Sequence, residues 1–401
     1  MITKPILLDE TGQQMLSAMN RQNALLEIMA SDKIAELTTN LDEIHRLVRE
    51  GIAQEVLAVG DQINVAWSDG TNNYTVPLDI VHFGDVQLQD GETVPGMFLQ
   101  WHYATPFGIQ FDNYEAIYKA AEGLAAGTYN FTLSETYSAA EAGTYQFTLT
   151  EDVPAGGIIV GLRALADNGI IGNTVKTYAS NSATTEIETA TVSAGNDGTS
   201  LGSFTKSVPG TLNCAQRFGY GYGRWSQSAY RQWLNSAAAA GSWWTPQNDF
   251  DTPPNELATR RGFMAGFDAD FLAILGKVKV RTALNTVEGL TDTYEDTYDT
   301  FFLPSLEQMY GTPQLADAEG PYWEYWKRAL GLTAPALTGS SNKYDAYKTY
   351  AIEARTSAQL VRLRSATRGS ANYAWLVYST GYLGNHYASG STRCAPACVV
   401  C

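Results

Sequence analysis

The sequence predicts an α+β fold, with helices first, a β-rich middle and a C-terminal domain of long loops on a small aromatic core. Three observations carry this. Apolar residues recur at helical spacing within residues 10–50 and switch to strict alternation after Leu57. A strand-like segment occurs twice between residues 126 and 149. Beyond residue 203, Trp and Tyr crowd together between irregular stretches.

The helical stretch has two parts. Met15, Met19, Gln22, Leu26 and Met29 alternate by fours and threes, and Ser31 and Asp32 interrupt them and can cap a second run. Ile34, Leu37, Leu41, Ile44 and Val48 then resume the seam, and Gly51 ends it. Such an a/d pattern serves either self-association, most naturally as a homotrimer, or the packing of two amphipathic helices on their own domain. Next, Ile63, Val65 and Trp67 alternate with polar residues, Ser68-Asp69-Gly70 turns the chain, and Tyr74, Val76, Leu78 and Ile80 alternate again. Met97, Leu99, Trp101 and Tyr103 form a further alternating set. Tyr114, Ile117 and Tyr118 share one face of a helix expected over residues 113–123.

Residues 126–133, AGTYNFTL, recur as residues 142–149, AGTYQFTL. Each copy alternates Tyr, Phe and Leu with Thr, Asn or Gln, which makes it a strand with one buried face. Two copies are too few for a solenoid, so an inserted sheet is expected, continuing through Ile158–Leu162 and as far as Val192. Residues 193–202 read as a linker. A helix is expected at Ser228–Ala240, capped by Ser226 or Ser228.

Composition narrows the function. A formal net charge of −16 argues against a nucleic-acid surface, which needs clustered Lys and Arg, and against anionic lipid. No apolar run reaches membrane-spanning length, and the N-terminus lacks a basic-then-apolar leader, so synthesis in a cytoplasm is expected. Of the cysteines Cys214, Cys394, Cys398 and Cys401, the last two form a C-x2-C pair. Buried or free thiols and a zinc site are the competing readings. Asp292, Glu295, Asp296 and Asp299 offer oxygens to calcium, or a solvated loop or strand. His45, His82, His102 and His386 are scattered without metal-ligand spacing. No phosphate loop or nucleophile elbow is present. No catalytic residue, metal or cofactor is therefore expected.

The most distinctive surface lies near the C-terminus. In the strand at 374–378, Trp375 and Val377 suit a core, which turns Ala374, Leu376 and Tyr378 outward. Thr367, Ser370, Tyr373, Tyr382, Gly384, Asn385, His386, Tyr387, Ser389 and Thr392 surround that outward face. This Tyr, Ser, Gly and Asn palette is that of antibody paratopes, although an ordinary loop and hairpin would also use it.

Several stretches resemble a known family. They are Arg224-Trp225-Ser226-Gln227-Ser228-Ala229-Tyr230-Arg231-Gln232-Trp233-Leu234-Asn235, Gly262-Phe263-Met264-Ala265-Gly266-Phe267-Asp268, Tyr298-Asp299-Thr300-Phe301-Phe302-Leu303-Pro304-Ser305, and Leu363-Arg364-Ser365-Ala366 running into Ala371-Asn372-Tyr373-Ala374-Trp375-Leu376-Val377. Arg393-Cys394-Ala395-Pro396-Ala397-Cys398-Val399 closes the series. In their order they resemble phage and gut-bacterial proteins with a C-type-lectin-like domain of the formylglycine-generating-enzyme type, many of them variable proteins of diversity-generating retroelements. Leu7-Leu8-Asp9-Glu10-Thr11-Gly12 is similar to phage tail proteins.

The resemblance implies a phage tail receptor-binding protein at the virion tail tip, made in the bacterial host cytoplasm. Its partners would be a host surface receptor, protein or glycan, and other phage tail proteins. Residues 1–56 would be a helical oligomerisation segment and 57–123 the possible opening of the lectin-like domain. Residues 124–202 would be an insertion with its linker, and 203–401 the ligand-binding domain, variable over about 364–393. The diversified positions would be Thr367, Ser370, Tyr373, Leu376, Tyr378, Tyr382, Gly384, Asn385, His386, Tyr387, Ser389 and Thr392. Arg364, Ser365, Ala366, Ala371, Ala374, Trp375, Val377, Gly381 and Arg393 would stay fixed, while Gly369, Asn372, Thr380 and Ser391 are open. The enzymes of this fold use a reactive cysteine pair whose surrounding motif is missing here. The other class of function is a structural baseplate or tail protein with an invariant lectin-like packing module.

Overall fold

A computed structural model of the chain describes residues 40–136, 141–161, 174–205, 215–286, 294–311, 319–330 and 349–401, together with Met19. The first described helix, Leu41–Arg49, forms for local reasons. Asn40 caps it by accepting from the Glu43 N–H at 3.1 Å, acidic residues occupy its first turn and basic ones its last, and Gly51 leaves it with φ of 70°. Ile44, Leu47 and Val48 are buried in the chain's own core. This end of the heptad seam therefore packs internally and is not available to a coiled coil. The seam from Met15 to Leu37 lies outside the described residues apart from Met19.

The alternating stretches are strands. β1 (Gln62–Ser68), β2 (Asn73–Gln87) and β3 (Thr93–Trp101) form an antiparallel meander, and β1 buries Ile63, Val65 and Trp67. The β1–β2 turn is made by Asp69, whose carboxylate accepts from the N–H groups of Thr71 and Asn72, and by Gly70 at φ of 96°. β4 (Ile109–Gln110) and β5 (Tyr118–Ala120) follow. The helix expected over 113–123 is not formed. Backbone donors there go to distant acceptors: Glu115 to Arg217, Ala116 to Phe250 and Ile117 to Ile159.

The repeats are β6 (Gly127–Leu133) and β7 (Gly143–Leu149), paired antiparallel with each other. Tyr129 lies opposite Phe147 and Phe131 opposite Tyr145, while Thr128–Thr148 and Thr132–Thr144 hydroxyls bond across the other face at 3.0 Å. β8 (Gly157–Val160), β9 (Thr174–Tyr178), β10 (Glu186–Ala194) and β11 (Thr199–Phe204) complete a seven-stranded sheet ordered β11-β6-β7-β10-β9-β8-β5. β11 runs parallel to β6, so the stretch read as a linker is partly an edge strand. Gly198 permits it, because a Cβ there would lie 2.5 Å from the Thr128 backbone.

Helix Ala229–Leu234 starts at Ser228, whose hydroxyl accepts from the Arg231 N–H at 3.1 Å. It stops well short of Ala240, and Asn235 follows as its cap, accepting from the Thr300 and Phe301 N–H groups. β12 (Val278–Ala283) pairs with β13 (Tyr294–Asp299). β14 (Phe301–Phe302) precedes a short helix, Leu306–Tyr310, opened by a capping box of Ser305 and Gln308. β15 (Thr349–Tyr350) pairs with β16 (Ala358–Gln359). β17 (Val361–Ala366), β18 (Tyr373–Val377) and β19 (Leu383–Tyr387) form a three-stranded sheet. β20 (Ser391–Thr392) pairs with β4, and β21 (Ala397–Val400) ends the chain between β3 and β14.

The fold is therefore α+β and rich in antiparallel sheet. One core draws on residues between 44 and 111 and between 225 and 400, joining the first strands to the last. Trp67, Trp101, Phe263, Phe267 and Phe301 lie at its centre, with Trp67 and Trp101 edge-on at 5.2 Å. A second core, from residues between 117 and 220, belongs to the seven-stranded sheet.

Candidate functional site

The sheet of β17, β18 and β19 carries the surface singled out above. Every residue of β17 is buried. Arg362 is 0 % exposed and its guanidinium donates to five acceptors: Ala374 O at 2.9 Å, His386 O and Tyr387 O at 3.0 Å, Gly390 O at 3.3 Å and Thr392 Oγ1 at 3.1 Å. Burial pulls its pKa down to about 10, so it stays a cation at neutral pH. Arg364, also buried, donates to Leu303 O, Arg281 O, Glu319 O and Gln308 Oε1. These arginines grip mostly main-chain carbonyls, so much of the backbone under the surface is held from beneath.

The phase of β18 is the reverse of the expectation. Ala374 and Leu376 are 0 % exposed, and Val377 at the strand end is buried too. Tyr373 and Trp375 are half-buried and occupy the outer side. Assigning the core by side-chain size misled here, because eight other tryptophans, among them Trp225, Trp233 and Trp323, already fill it. Ala374 also lies where the Arg362 guanidinium reaches its carbonyl, which leaves little volume beside it.

Of the positions expected to form the face, Thr367, Tyr373, Tyr378, Tyr382, Gly384, Asn385, His386 and Tyr387 are partly exposed. Leu376, Ser370, Ser389 and Thr392 are not on it. Thr392 accepts from Arg362 through Oγ1 and from the Tyr230 hydroxyl through its carbonyl at 2.7 Å, while the Ser370 hydroxyl bonds Asn372. Gly384 is constrained by its neighbour, since a Cβ there would lie 1.9 Å from the Tyr378 ring.

The outward aromatics form two groups. Tyr387 lies between Tyr220, stacked at 3.8 Å and 11°, and Tyr373 at 4.9 Å and 22°. Tyr378 and Tyr382 pack at 4.8 Å, and the Tyr378 hydroxyl donates to Asn385 O at 3.2 Å. Burial and the adjacent Tyr387 hydroxyl hold the Tyr373 phenol well above its usual range. Desolvation, together with the nearby Arg362 charge, lowers His386, which keeps its ring neutral at pH 7. The face is thus uncharged, aromatic and rimmed by hydroxyls and an amide. Tyr220 was not anticipated, because its partner Tyr387 is remote in sequence.

The other sequence candidates resolve differently. Glu295 pairs with Arg224 at 2.8 Å, Asp299 with Arg231 at 2.7 Å, and Asp296 with both Lys279 and Arg281 at 2.8 Å. These carboxylates are committed to cations in the chain and do not converge on calcium; Asp292 lies outside the described residues. Cys394 and Cys398 are fully buried, with burial pushing the Cys394 thiol up to about 12 and raising Cys398 as well. Cys214 lies outside the described residues. His102 pairs with Asp79 at 2.8 Å, and His45 bonds the Cys401 carbonyl at 2.9 Å.

Sequence reasoning missed one cluster entirely. Asp112, Glu115 and Asp251 are buried together, with one carboxylate oxygen from each within 4.8 Å of the others. Burial is the main cause that raises all three, Glu115 to about 7 and Asp251 to about 6.

Residues 211–401 match a family described as a domain of unknown function, DUF6273. No curated protein and no solved structure matches the chain.

Proposed function

We propose that this chain is a ligand-binding protein without enzymatic turnover, the receptor-binding protein of a phage tail. Its lectin-like domain, of the C-type, meets a host surface receptor through the outer side of β18 and β19. The observation that carries the proposal is the half-exposed aromatic face on a sheet whose backbone is held from beneath by Arg362. Exposed Tyr and Trp on a rigid sheet provide large contact area at low entropic cost. The stretches behind the family resemblance also interlock. Trp225 Nε1 donates to Asp299 at 3.1 Å, Phe263 packs edge-on against Phe301 at 5.1 Å, and Arg364 donates to Leu303 O at 2.8 Å. Buried, protonated Cys394 and Cys398 favour binding over thiolate chemistry.

Diversification fits a different set from the one the sequence suggested, with Trp375 moved from the fixed positions to the outer side: Thr367, Tyr373, Trp375, Tyr378, Tyr382, Asn385, His386 and Tyr387. A second reading, a structural tail protein with an invariant packing module, draws on the Tyr220–Tyr387–Tyr373 stack, which commits part of the face to internal packing. Attachment to host cells separates the two. Replacing Tyr378, Tyr382, His386 and Tyr387 together with Ala should abolish attachment while leaving the thermal transition cooperative. Unchanged attachment rejects the assignment of this face.

A further inference from the structure

We propose that Asp112, Glu115 and Asp251 bind one hard divalent cation of calcium size at the seam between the two cores. The carboxylates converge within 4.8 Å, and Asp112 Oδ2 and Glu115 Oε2 are fully buried with no hydrogen-bond partner. An orphaned carboxylate oxygen in a protein interior is costly unless a cation or a proton takes it. The other oxygens of Glu115 and Asp251 are already used. Glu115 Oε1 accepts from Arg217 and from Asn248 at 3.1 Å, and Asp251 accepts from Asn248 Nδ2 at 2.6 Å and from the Gln247 and Asn248 N–H groups. Two unpaired carboxylate oxygens and a third carboxylate therefore share one buried cluster.

Charge and size agree. With their protons displaced, three carboxylates less the one guanidinium of Arg217 carry two negative charges, which a divalent ion cancels. Oxygens lying within 4.8 Å of one another can share one ion at calcium–oxygen distances of about 2.3–2.6 Å. All donors are oxygens, as a hard cation prefers. Asn113 and Thr252, sequence neighbours of two ligands, line a surface cleft of about 250 Å³.

The position gives the ion a role. Phe111 belongs to the first core, and Ile117 and Phe218 to the second. The Asp112 N–H donates to Ala388 O at 3.1 Å, and the Ser389 N–H donates to Tyr220 O at 2.8 Å. A cation here ties both cores together beside the segments that carry Tyr220 and Tyr387. This site stands independently of the receptor-binding reading, because its test needs no host ligand.

The test uses the full chain, stripped with a chelator and titrated with calcium alone. Calcium at 1 mM should raise the thermal midpoint by roughly 3–6 °C, given a micromolar site. Terbium should bind with a stoichiometry of one per chain. Asp112→Asn and Glu115→Gln should weaken terbium binding by more than about tenfold. Asp296→Asn, at a surface ion pair, should leave it unchanged. No midpoint shift and no stoichiometric terbium in the unmutated chain overturn the proposal, as does terbium binding that persists undiminished in both cluster variants. If either variant fails to fold, the midpoint shift and stoichiometry of the unmutated chain decide.

Discussion

Arg362→Met removes the grip on the candidate face while keeping much of the side chain's volume. Five hydrogen bonds disappear, four of them to main-chain carbonyls of residues 374, 386, 387 and 390. An unsatisfied buried acceptor costs about 1–3 kcal/mol, but carbonyls have a second lone pair and some at the sheet edge can recruit water. Relief from burying a cation offsets part of the loss. Balancing these, a net destabilisation of about 3–5 kcal/mol is expected. Arg362→Lys should recover only a fraction, since an ammonium cannot span acceptors on three strands. Urea unfolding followed by near-ultraviolet circular dichroism measures both variants. A loss below about 1 kcal/mol for Arg362→Met, with an unchanged tyrosine signal, would refute the idea that this arginine organises the face.

Other consequences follow from the same geometry. Leu376→Ala should cost about 2–5 kcal/mol and Trp375→Ala less than half as much, by denaturant midpoint; the opposite order would restore the original strand phase. Gly384→Ala should displace the Tyr378 ring, and Tyr378→Ala in the same chain should relieve the strain, so a double-mutant cycle showing simple additivity argues against the contact. The His102 pKa is raised, chiefly by its hydrogen bond to Asp79, against desolvation and the Arg355 charge. Its contribution is fully present below the unfolded pKa of about 6.5 and is lost as pH rises through the higher folded value. At partial exposure this is worth less than about 1 kcal/mol, so the stability gap between the unmutated chain and His102→Gln should shrink from pH 5.5 to 8.5. A gap that widens has the wrong sign.

Local signals in the chain were legible, and long-range ones were not. The alternation of Ile63, Val65 and Trp67, the paired AGTY repeats and the Ser228 cap are each written within a few residues and appear as expected. Tyr114, Ile117 and Tyr118 mimic a helical face, yet their segment is extended because its amides bond Arg217, Phe250 and Ile159. Gly and Ser concealed β11, whose parallel partner is remote in sequence. Within the face, the aromatic palette was readable, but which side of β18 is buried depended on Arg362 and on tryptophans from elsewhere in the core. The acidic cluster needed Asp251 brought to Asp112 and Glu115, which no local spacing encodes.

The central claim is that the outer side of β18 and β19 binds and can vary while the scaffold beneath it does not. Sequencing the gene from many cells of one population tests it most directly. Substitutions should concentrate at Thr367, Tyr373, Trp375, Tyr378, Tyr382, Asn385, His386 and Tyr387, where a side-chain change should cost less than about 2 kcal/mol, below the cost at the buried positions. Changes spread evenly over the domain, or falling on Arg362, Arg364, Ala374 and Leu376, would contradict a variable face and leave an invariant packing module.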